Sequence, residues 1–285
     1  MKSNSILFVG CGDLGASTGG LLQAQGWRVA GMRREQSQLP PGFTGFGGDY
    51  SEPGSLAFIA GLRPDWVLAT FNPADRSVAG YRRGFTRAAR NLLEGLGNYQ
   101  PRAIFMVSST RVFAEQEGGW VDEASELSST DPRALAIIEA EQILLESSQR
   151  CCVVRFAGIY GAPGGRLLQR LRRGELGPAD PLRYSNRIHR DDCAGFLQYL
   201  VEGAESGLEL APVYIGVDDL PAPQFEVESW LLEEMGVQAL AAEAADDGTG
   251  RSSAGHKRCS NRLLRASGYQ LQYPDYRAGY RAVLA

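Results

Sequence analysis

Ile6-Leu7-Phe8-Val9-Gly10-Cys11-Gly12-Asp13-Leu14-Gly15 is the stretch on which the reading of this chain turns. The apolar run 6–9 has the character of a short strand, and the glycines that follow hold the G-x-G-x-x-G spacing. Leu14, Leu21 and Leu22 then recur at helical intervals. In such a turn the first glycine permits the tight bend and the second lets the backbone approach a pyrophosphate. The third lets the helix pack closely on the strand, so that its first N–H groups face the phosphates. Three spaced glycines mean little in a chain with 35 of them. The strand–turn–helix context gives the motif its weight. Gly10, Cys11, Gly12, Asp13, Leu14 and Gly15 are therefore expected to form a dinucleotide-binding loop.

Working outward, apolar β-type runs at 27–32, 66–70, 103–108 and 152–156 alternate with amphipathic stretches. Ser51-Glu52-Pro53 has the form of a helix start leading into 56–62, with Ser as cap and Pro in the first turn. Longer helices are expected over 78–96 and 131–147, the second opened by Asp131-Pro132, and another from Asp191-Asp192 through Leu200. Residues 213–217 read as a late strand. This alternation implies right-handed βαβ units. The expected fold is an α/β Rossmann-fold parallel sheet with helices on both faces, plus a small discontinuous C-terminal substrate lobe. The lobe comprises a basic helix at 166–174, a loop at 178–184, an amphipathic helix at 223–235 and a small, polar, mobile stretch at 241–255. A last capped helix at 260–267 precedes an aromatic tail of Tyr269, Tyr273, Tyr276 and Tyr280. The expected division is 1–160 with 185–217 for the nucleotide-binding domain, and 161–184 with 218–285 for the lobe.

Composition narrows the function classes. With 285 residues, 44% hydrophobic and 22% charged, the chain matches an ordinary soluble globule. A net charge of −4 argues against general nucleic-acid binding. No apolar run reaches the length of a membrane span, and Met1-Lys2-Ser3-Asn4-Ser5 leads straight into the first strand. A cytoplasmic protein without membrane association is expected. Cys11, Cys151, Cys152, Cys193 and Cys259 are scattered without a C-x-x-C pair, as free thiols in a reducing compartment would be. His189 and His256 are the only histidines, so no metal site is expected. Lys2 and Lys257 are the only lysines among 29 basic residues.

A carboxylate near the end of the second strand takes the ribose 2′-OH of NAD, whereas arginine accommodates the 2′-phosphate of NADP. Here that strand ends Met32-Arg33-Arg34, which favours NADP(H), while Glu35 keeps NAD open as the less favoured choice. Asp49, after a short third strand, reads equally as an adenine contact or as a turn aspartate. Cys11 reads as a helix-terminus thiol of lowered pKa or as a small filler beside the pyrophosphate.

The chain resembles an atypical or extended short-chain dehydrogenase/reductase of the NAD(P)-dependent epimerase/dehydratase family. The resemblance rests on the glycine loop, Gly48-Asp49, and Val107-Ser108-Ser109-Thr110-Arg111-Val112-Phe113. It continues through Arg155-Phe156-Ala157-Gly158-Ile159-Tyr160-Gly161 and Asn186-Arg187-Ile188-His189-Arg190-Asp191-Asp192, in family order over nearly the whole length. It implies a Rossmann domain, a C-terminal substrate lobe, a nicotinamide cofactor near Ser108, and often a homodimer through two long helices, here 78–96 and 131–147. It also implies a catalytic Ser or Thr, matched by Ser109, and a Tyr-x-x-x-Lys pair. The pair is absent. Arg133 stands at the tyrosine position and Ile137 at the lysine position, and no lysine lies between Lys2 and Lys257.

Arg can hold an oxyanion but is a poor proton donor, and Ile can do neither. The candidate catalytic set is therefore Ser109, Tyr160 and Arg133, with Tyr81 and His189 as further possible acids. Tyr160 reads alternatively as a packed strand-exit tyrosine and His189 as a structural bridge. Arg183, Arg187 and His189 are the expected substrate contacts; Arg170, Arg172 and Arg173 read as a solvated helix face. His256-Lys257-Arg258 offers a second anionic contact. The expected function is an NADP(H)-binding oxidoreductase or epimerase/dehydratase-like enzyme acting on a small polar substrate, nucleotide-linked or phosphorylated. The alternative is a non-catalytic NADP(H)-binding sensor or regulatory protein.

Overall fold

Strands covered on both faces must be apolar throughout, and the innermost strands here are. β1 (Ser5–Val9) and β4 (Trp66–Ala69) are buried along almost their whole length. With β2 (Arg28–Arg33), β3 (Thr44–Gly47), β5 (Ala103–Ser109), β6 (Cys151–Phe156) and β7 (Val213–Gly216) they form one seven-stranded sheet. Its order is β7-β6-β5-β4-β1-β2-β3. Pairing is parallel from β3 through β2, β1 and β4 to β5, with Leu7 opposite Ala30 on one side and Val67 on the other. Strand order reverses between β1 and β4, so a crevice opens beyond their carboxyl ends. The computed structural model describes residues 4–162, 164–240 and 256–285. The polar stretch 241–255 lies outside them.

The chain divides into two compact units. The first comprises Met1–Val112, Leu127–Arg155 and Cys193–Tyr214; the second comprises Phe113–Glu126, Phe156–Asp192 and Ile215–Ala285. The second unit thus takes in 113–126, 156–160, 185–192 and 215–217, which the sequence reading placed with the nucleotide-binding domain.

In the first unit, α1 (Asp13–Ala24) follows the glycine turn. The helix expected over 56–62 is only one turn, Ile59–Leu62. Ser51 does not cap it; its Oγ accepts from Arg83 Nε at 3.1 Å and donates to Asp49 Oδ1 at 2.6 Å. The expected helix 78–96 forms as three continuous segments: Val78–Tyr81, a π-helical Arg82–Arg87, and Ala88–Leu96. A Cβ on Gly84 would overlap Asn72 O, so the π segment lies directly on the loop after β4. The helix Pro132–Leu145 starts as its sequence suggests, Asp131 accepting from Arg133 N at 2.9 Å. The two long helices pack on each other, Thr86 Oγ1 donating to Ala136 O at 3.0 Å and Arg90 pairing with Glu139 at 2.6 Å.

Among the described residues, the second unit holds three two-stranded ribbons: Gly158–Tyr160 with Arg187–His189, Tyr184–Ser185 with Ala222–Pro223, and Trp120–Val121 with Arg258–Cys259. Its core gathers Leu168 and Leu171 with Val227, Leu231, Tyr276 and Tyr280. The aromatic tail is not a tail. Residues Tyr276–Leu284 form a final helix capped by Asp275, which accepts from Ala278 N at 2.9 Å. Its tyrosines at 276 and 280 are one turn apart and both buried, a helical period hidden by the number of polar neighbours. Among the described residues, no helix is long and apolar enough to cross a membrane, and no His/Cys/Asp/Glu group could hold a metal ion.

Candidate functional site

The turn after β1 is stitched to both neighbouring strands. Gly10 N and Cys11 N both donate to Met32 O, at 3.1 and 2.7 Å, while Thr70 Oγ1 donates to Gly10 O. Gly10 has a φ of +87°, and a Cβ there would lie 2.8 Å from Thr70 O. Only glycine fits on both counts. Two residues on, the situation reverses. A Cβ on Gly12 would meet nothing closer than Gly10 O at 3.9 Å, and no side chain caps the helix that begins at Asp13. The first-turn amides of α1 therefore have no capping oxygen, and the space before them is open at Gly12. A dinucleotide pyrophosphate fits this cradle, because it supplies the acceptor oxygens and the negative charge that a helix start favours.

Cys11 is fully buried against Gly31, and burial pushes its thiol up to about 11 despite the nearby Arg33 charge. The structure makes it the filler, not a reactive thiolate. Arg33 is half-buried and already engaged, donating through Nη2 to Gln38 Oε1 at 2.6 Å and through Nη1 to Gln38 O at 3.1 Å. Gln38 in turn donates to Glu35. Arg34 is exposed, and its charge reaches Asp49 and Tyr50. Asp49 is held in the turn by its neighbours. Its Oδ1 accepts from Ser51 N and Oγ at 2.9 and 2.6 Å, and Arg83 lies 3.7 Å from its Oδ2. Partial burial pushes this carboxyl up, but the Ser51 bonds with Arg83 and Arg34 outweigh that and leave it below the usual range.

At the end of β5 two adjacent serines part ways. Ser108 is buried, and its hydroxyl donates to Glu141 Oε1 at 2.5 Å. Its side chain is thus committed to the interior, which leaves only its backbone for the expected cofactor contact. Ser109 is half-buried, and its Oγ accepts from Arg111 N at 3.2 Å, which leaves the hydroxyl proton for another partner. The guanidinium groups of Arg111 and Arg133 each stand 5.9 Å from the centre of the Tyr81 ring. Arg111 also pairs with Asp131 at 2.8 Å. Ser109, Arg111, Arg133 and Tyr81 thus form a local set within the first unit. Ile137, one turn beyond Arg133, is 1% exposed and belongs to the core.

Tyr160, the first-choice acid, belongs to the second unit and is packed. It stacks on Tyr280 with ring centres 4.4 Å apart and meets His189 edge-on at 5.2 Å. Its hydroxyl lies 3.4 Å from Asp275 O, and a Cβ on Gly279 would overlap it. Burial, reinforced by the Asp218 carboxylate, pushes its phenol far above the ordinary value. Such a group is a reluctant proton donor, so the packed alternative holds. His189 is the structural bridge: Nδ1 accepts from Asp191 N at 3.3 Å, and burial lowers its pKa. Arg187 is buried beside it, whereas Arg183 is exposed. The three expected substrate contacts therefore do not converge on one open surface. Arg173 pairs with exposed Glu175, as a solvated helix face allows, whereas Arg170 departs from that expectation, being only 20% exposed and tied to the fully buried Glu228. His256 Nδ1 accepts from Tyr184 N at 3.1 Å, which spends that atom internally.

The solved structure of a Methylobacillus flagellatus protein described as an NAD-dependent epimerase/dehydratase is 33% identical. The match covers 99% of this chain and 98% of that one, with a TM-score of 0.83. The chain belongs to the NAD-dependent epimerase/dehydratase family. Two further structures share the fold. Human epimerase family protein SDR39U1, with NADPH, is 20% identical over 98% of both chains at a TM-score of 0.76. A Thermus thermophilus UDP-glucose 4-epimerase in complex with NAD is 18% identical over 98% and 97%, at 0.77. No protein-family model matches, and no curated protein does.

Within this epimerase/dehydratase chain, sequence reasoning missed three residues that shape the cradle. Thr70 pins Gly10, Tyr50 Oη accepts from Asn72 N at 3.0 Å, and Asn91 Nδ2 donates to Tyr50 O at 3.0 Å. Thr70 had a signal, a hydroxyl at the carboxyl end of an otherwise apolar strand next to β1. Tyr50 and Asn91 had none, because their partners are backbone atoms far away in sequence.

Proposed function

We propose that this chain binds NADP(H) at the β1–α1 turn and acts as an oxidoreductase or epimerase/dehydratase on a small polar substrate, without the family's Tyr-Lys dyad. The observation that carries this reading is the open, uncapped helix start behind Gly12. The NADPH of the human neighbour and exposed Arg34 support the phosphorylated form of the cofactor. The nicotinamide supplies the hydride chemistry when bound. Ser109, with its oxygen already accepting from Arg111 N, directs its proton at a substrate oxygen. Arg133 can only donate hydrogen bonds, so it holds negative charge that develops there. Tyr81 takes over from Tyr160 as proton donor, because it stands in the same unit as Ser109, between two guanidiniums. A homodimer through 78–96 and 131–147 is part of the proposal; Leu135, on the second of these helices, is 42% exposed.

The test is titration with NADPH and NADH by ligand fluorescence, followed at the nicotinamide absorbance as sugar nucleotides and small carbonyl compounds are added. Tight NADPH binding with turnover that Ser109→Ala and Tyr81→Phe both suppress is expected. Tight binding without turnover on any compound would favour the sensor alternative. Failure to bind either nucleotide overturns the reading.

A further inference from the structure

The second unit contains a cavity of about 400 Å³ that the dinucleotide reading does not use, beside the Trp120–Val121/Arg258–Cys259 ribbon. That volume is in the range of small-molecule sites. Two of its lining carboxyl groups are already committed. Asp219 Oδ1 accepts from Asn261 Nδ2 at 2.7 Å and lies 3.7 Å from Arg265 Nε. Asp218 is 2% exposed and accepts from Leu220 N at 3.2 Å; burial raises its carboxyl to about 8, so it keeps its proton near neutral pH. Neither is left to recognise a ligand.

The rest of the lining is an aromatic platform with polar groups of both senses. Trp120 is 58% exposed, an unusual place for an indole. Its register partner Arg258 donates through Nε to Gly118 O at 2.8 Å. The Arg258 guanidinium stands 5.2 Å from the centre of the Trp120 ring and 4.9 Å from that of Tyr184. A guanidinium covers one face of a ring, so the indole is held in place while much of it stays open.

Asp122 is exposed, and its Oδ1 accepts from Ala124 N at 3.1 Å and Ser125 Oγ at 3.0 Å, which leaves Oδ2 as an acceptor. Asn261 has spent its amide nitrogen on Asp219 and on Val217 O, so its carbonyl oxygen is a second acceptor. Arg262 is exposed and has no ion-pair partner among the described residues. Ser260 Oγ accepts from Arg262 N at 3.4 Å and keeps its proton to donate. Two acceptors and two donors thus border one aromatic side chain.

We infer that this cavity binds a neutral sugar, with the C–H face of a pyranose ring on Trp120 and its hydroxyls turned to Asp122, Ser260, Asn261 and Arg262. Each sugar hydroxyl donates and accepts at once, which is what a lining of mixed sense requires. A simple anion would meet Asp122, and a simple cation would meet Arg262. An apolar molecule would strip water from both without replacing its hydrogen bonds. None of these residues belongs to the glycine loop or to the Ser109 set, so the inference stands apart from the proposed function.

Saturation-transfer NMR of the full chain, without dinucleotide, tests it. The probes are the methyl glycosides of glucose, galactose and mannose, with adenosine as a flat aromatic competitor for the indole. Saturable binding of at least one glycoside is expected, with the strongest transfer at its ring C–H protons. Trp120→Ala should weaken it about tenfold or more. Asp122→Asn, which keeps Oδ1, and Arg262→Gln should each weaken it about tenfold, the loss of a hydrogen bond to a charged group. These positions are exposed, so the variants should fold. No saturable binding of any glycoside overturns the inference. So does adenosine binding more tightly than every glycoside, or glycoside binding that all three variants leave unchanged.

Discussion

Arg155 grips the Glu141 carboxylate through two nitrogens, Nε at 3.1 Å and Nη2 at 2.7 Å, with both side chains almost completely buried. Ser108 donates to the same carboxylate. Removing one partner of a buried pair leaves the other charge without compensation. Glu141→Gln should therefore destabilise the chain by about 3–5 kcal/mol in urea unfolding. Ser108→Ala should remove about 1.5–3 kcal/mol, the value of a hydrogen bond to a charged group. A Glu141→Gln variant as stable as the parent would show that the pair does not hold the first unit together.

Two alanine substitutions in the glycine loop should separate folding from binding. Gly10→Ala forces a positive φ on a residue with a side chain and drives its Cβ against Thr70 O. It should lower the melting temperature measurably. Gly12→Ala meets only Gly10 O, at 3.9 Å and without a clash, so stability should hardly change while a methyl group fills the cradle. NADPH affinity should fall by about tenfold or more if the pyrophosphate sits there.

The arginines after β2 should differ in their effect. Arg34 is exposed, whereas Arg33 is tied to Gln38. A charge-assisted hydrogen bond contributes about 1.5–3 kcal/mol, so Arg34→Ala should weaken NADPH binding by about tenfold or more. NADH should be almost unaffected. Equal losses for both nucleotides would place Arg34 away from the 2′-phosphate.

Asp218 should impose a pH slope on stability. In an unfolded chain an aspartate titrates near about 3.9, whereas in the fold burial raises Asp218 to about 8. Between these values the folded state holds the extra proton. Its stabilising contribution is fully present below the lower value and is lost as pH rises through the upper one. Melting temperatures across that window should fall more steeply in the parent than in Asp218→Asn. Parallel profiles would contradict the assignment.

Native Cys11 should resist alkylation near neutral pH and react only after unfolding, as mass spectrometry of iodoacetamide-treated protein would report. Its buried thiol, raised to about 11, carries almost no thiolate there. Rapid native labelling of Cys11 would mean that the turn opens.

The parallel sheet was legible because its strands are short apolar runs separated by helical patterns, and β1, β4 and β5 fall where those runs do. The glycine turn was legible because its spacing directly follows an apolar strand and opens a helix, and Gly10 answers a local steric demand. What escaped depends on partners distant in sequence. Nothing in Ser108-Ser109 says which hydroxyl turns inward, since that is decided by Glu141, thirty-three residues later. Ser51 is held by Asp49 and by Arg83, thirty-two residues later, and does not open the helix at 59–62. The π segment in 78–96 reflects close backbone contact at Gly84, and local propensity carries no trace of either. Tyr160 looked like a candidate acid only until the final helix, read as a tail, closed over it.

Ile137 lies in the interior, not on a surface facing the crevice. Restoring the family's lysine there would place an ammonium group among aliphatic side chains, where it would lose its proton or disrupt the helix packing. The route back to the usual active site is therefore blocked by the hydrophobic core. An engineer wishing to change this chain's chemistry would do better to vary Tyr81, Arg111 and Arg133, whose side chains reach the surface, than to graft in the missing pair.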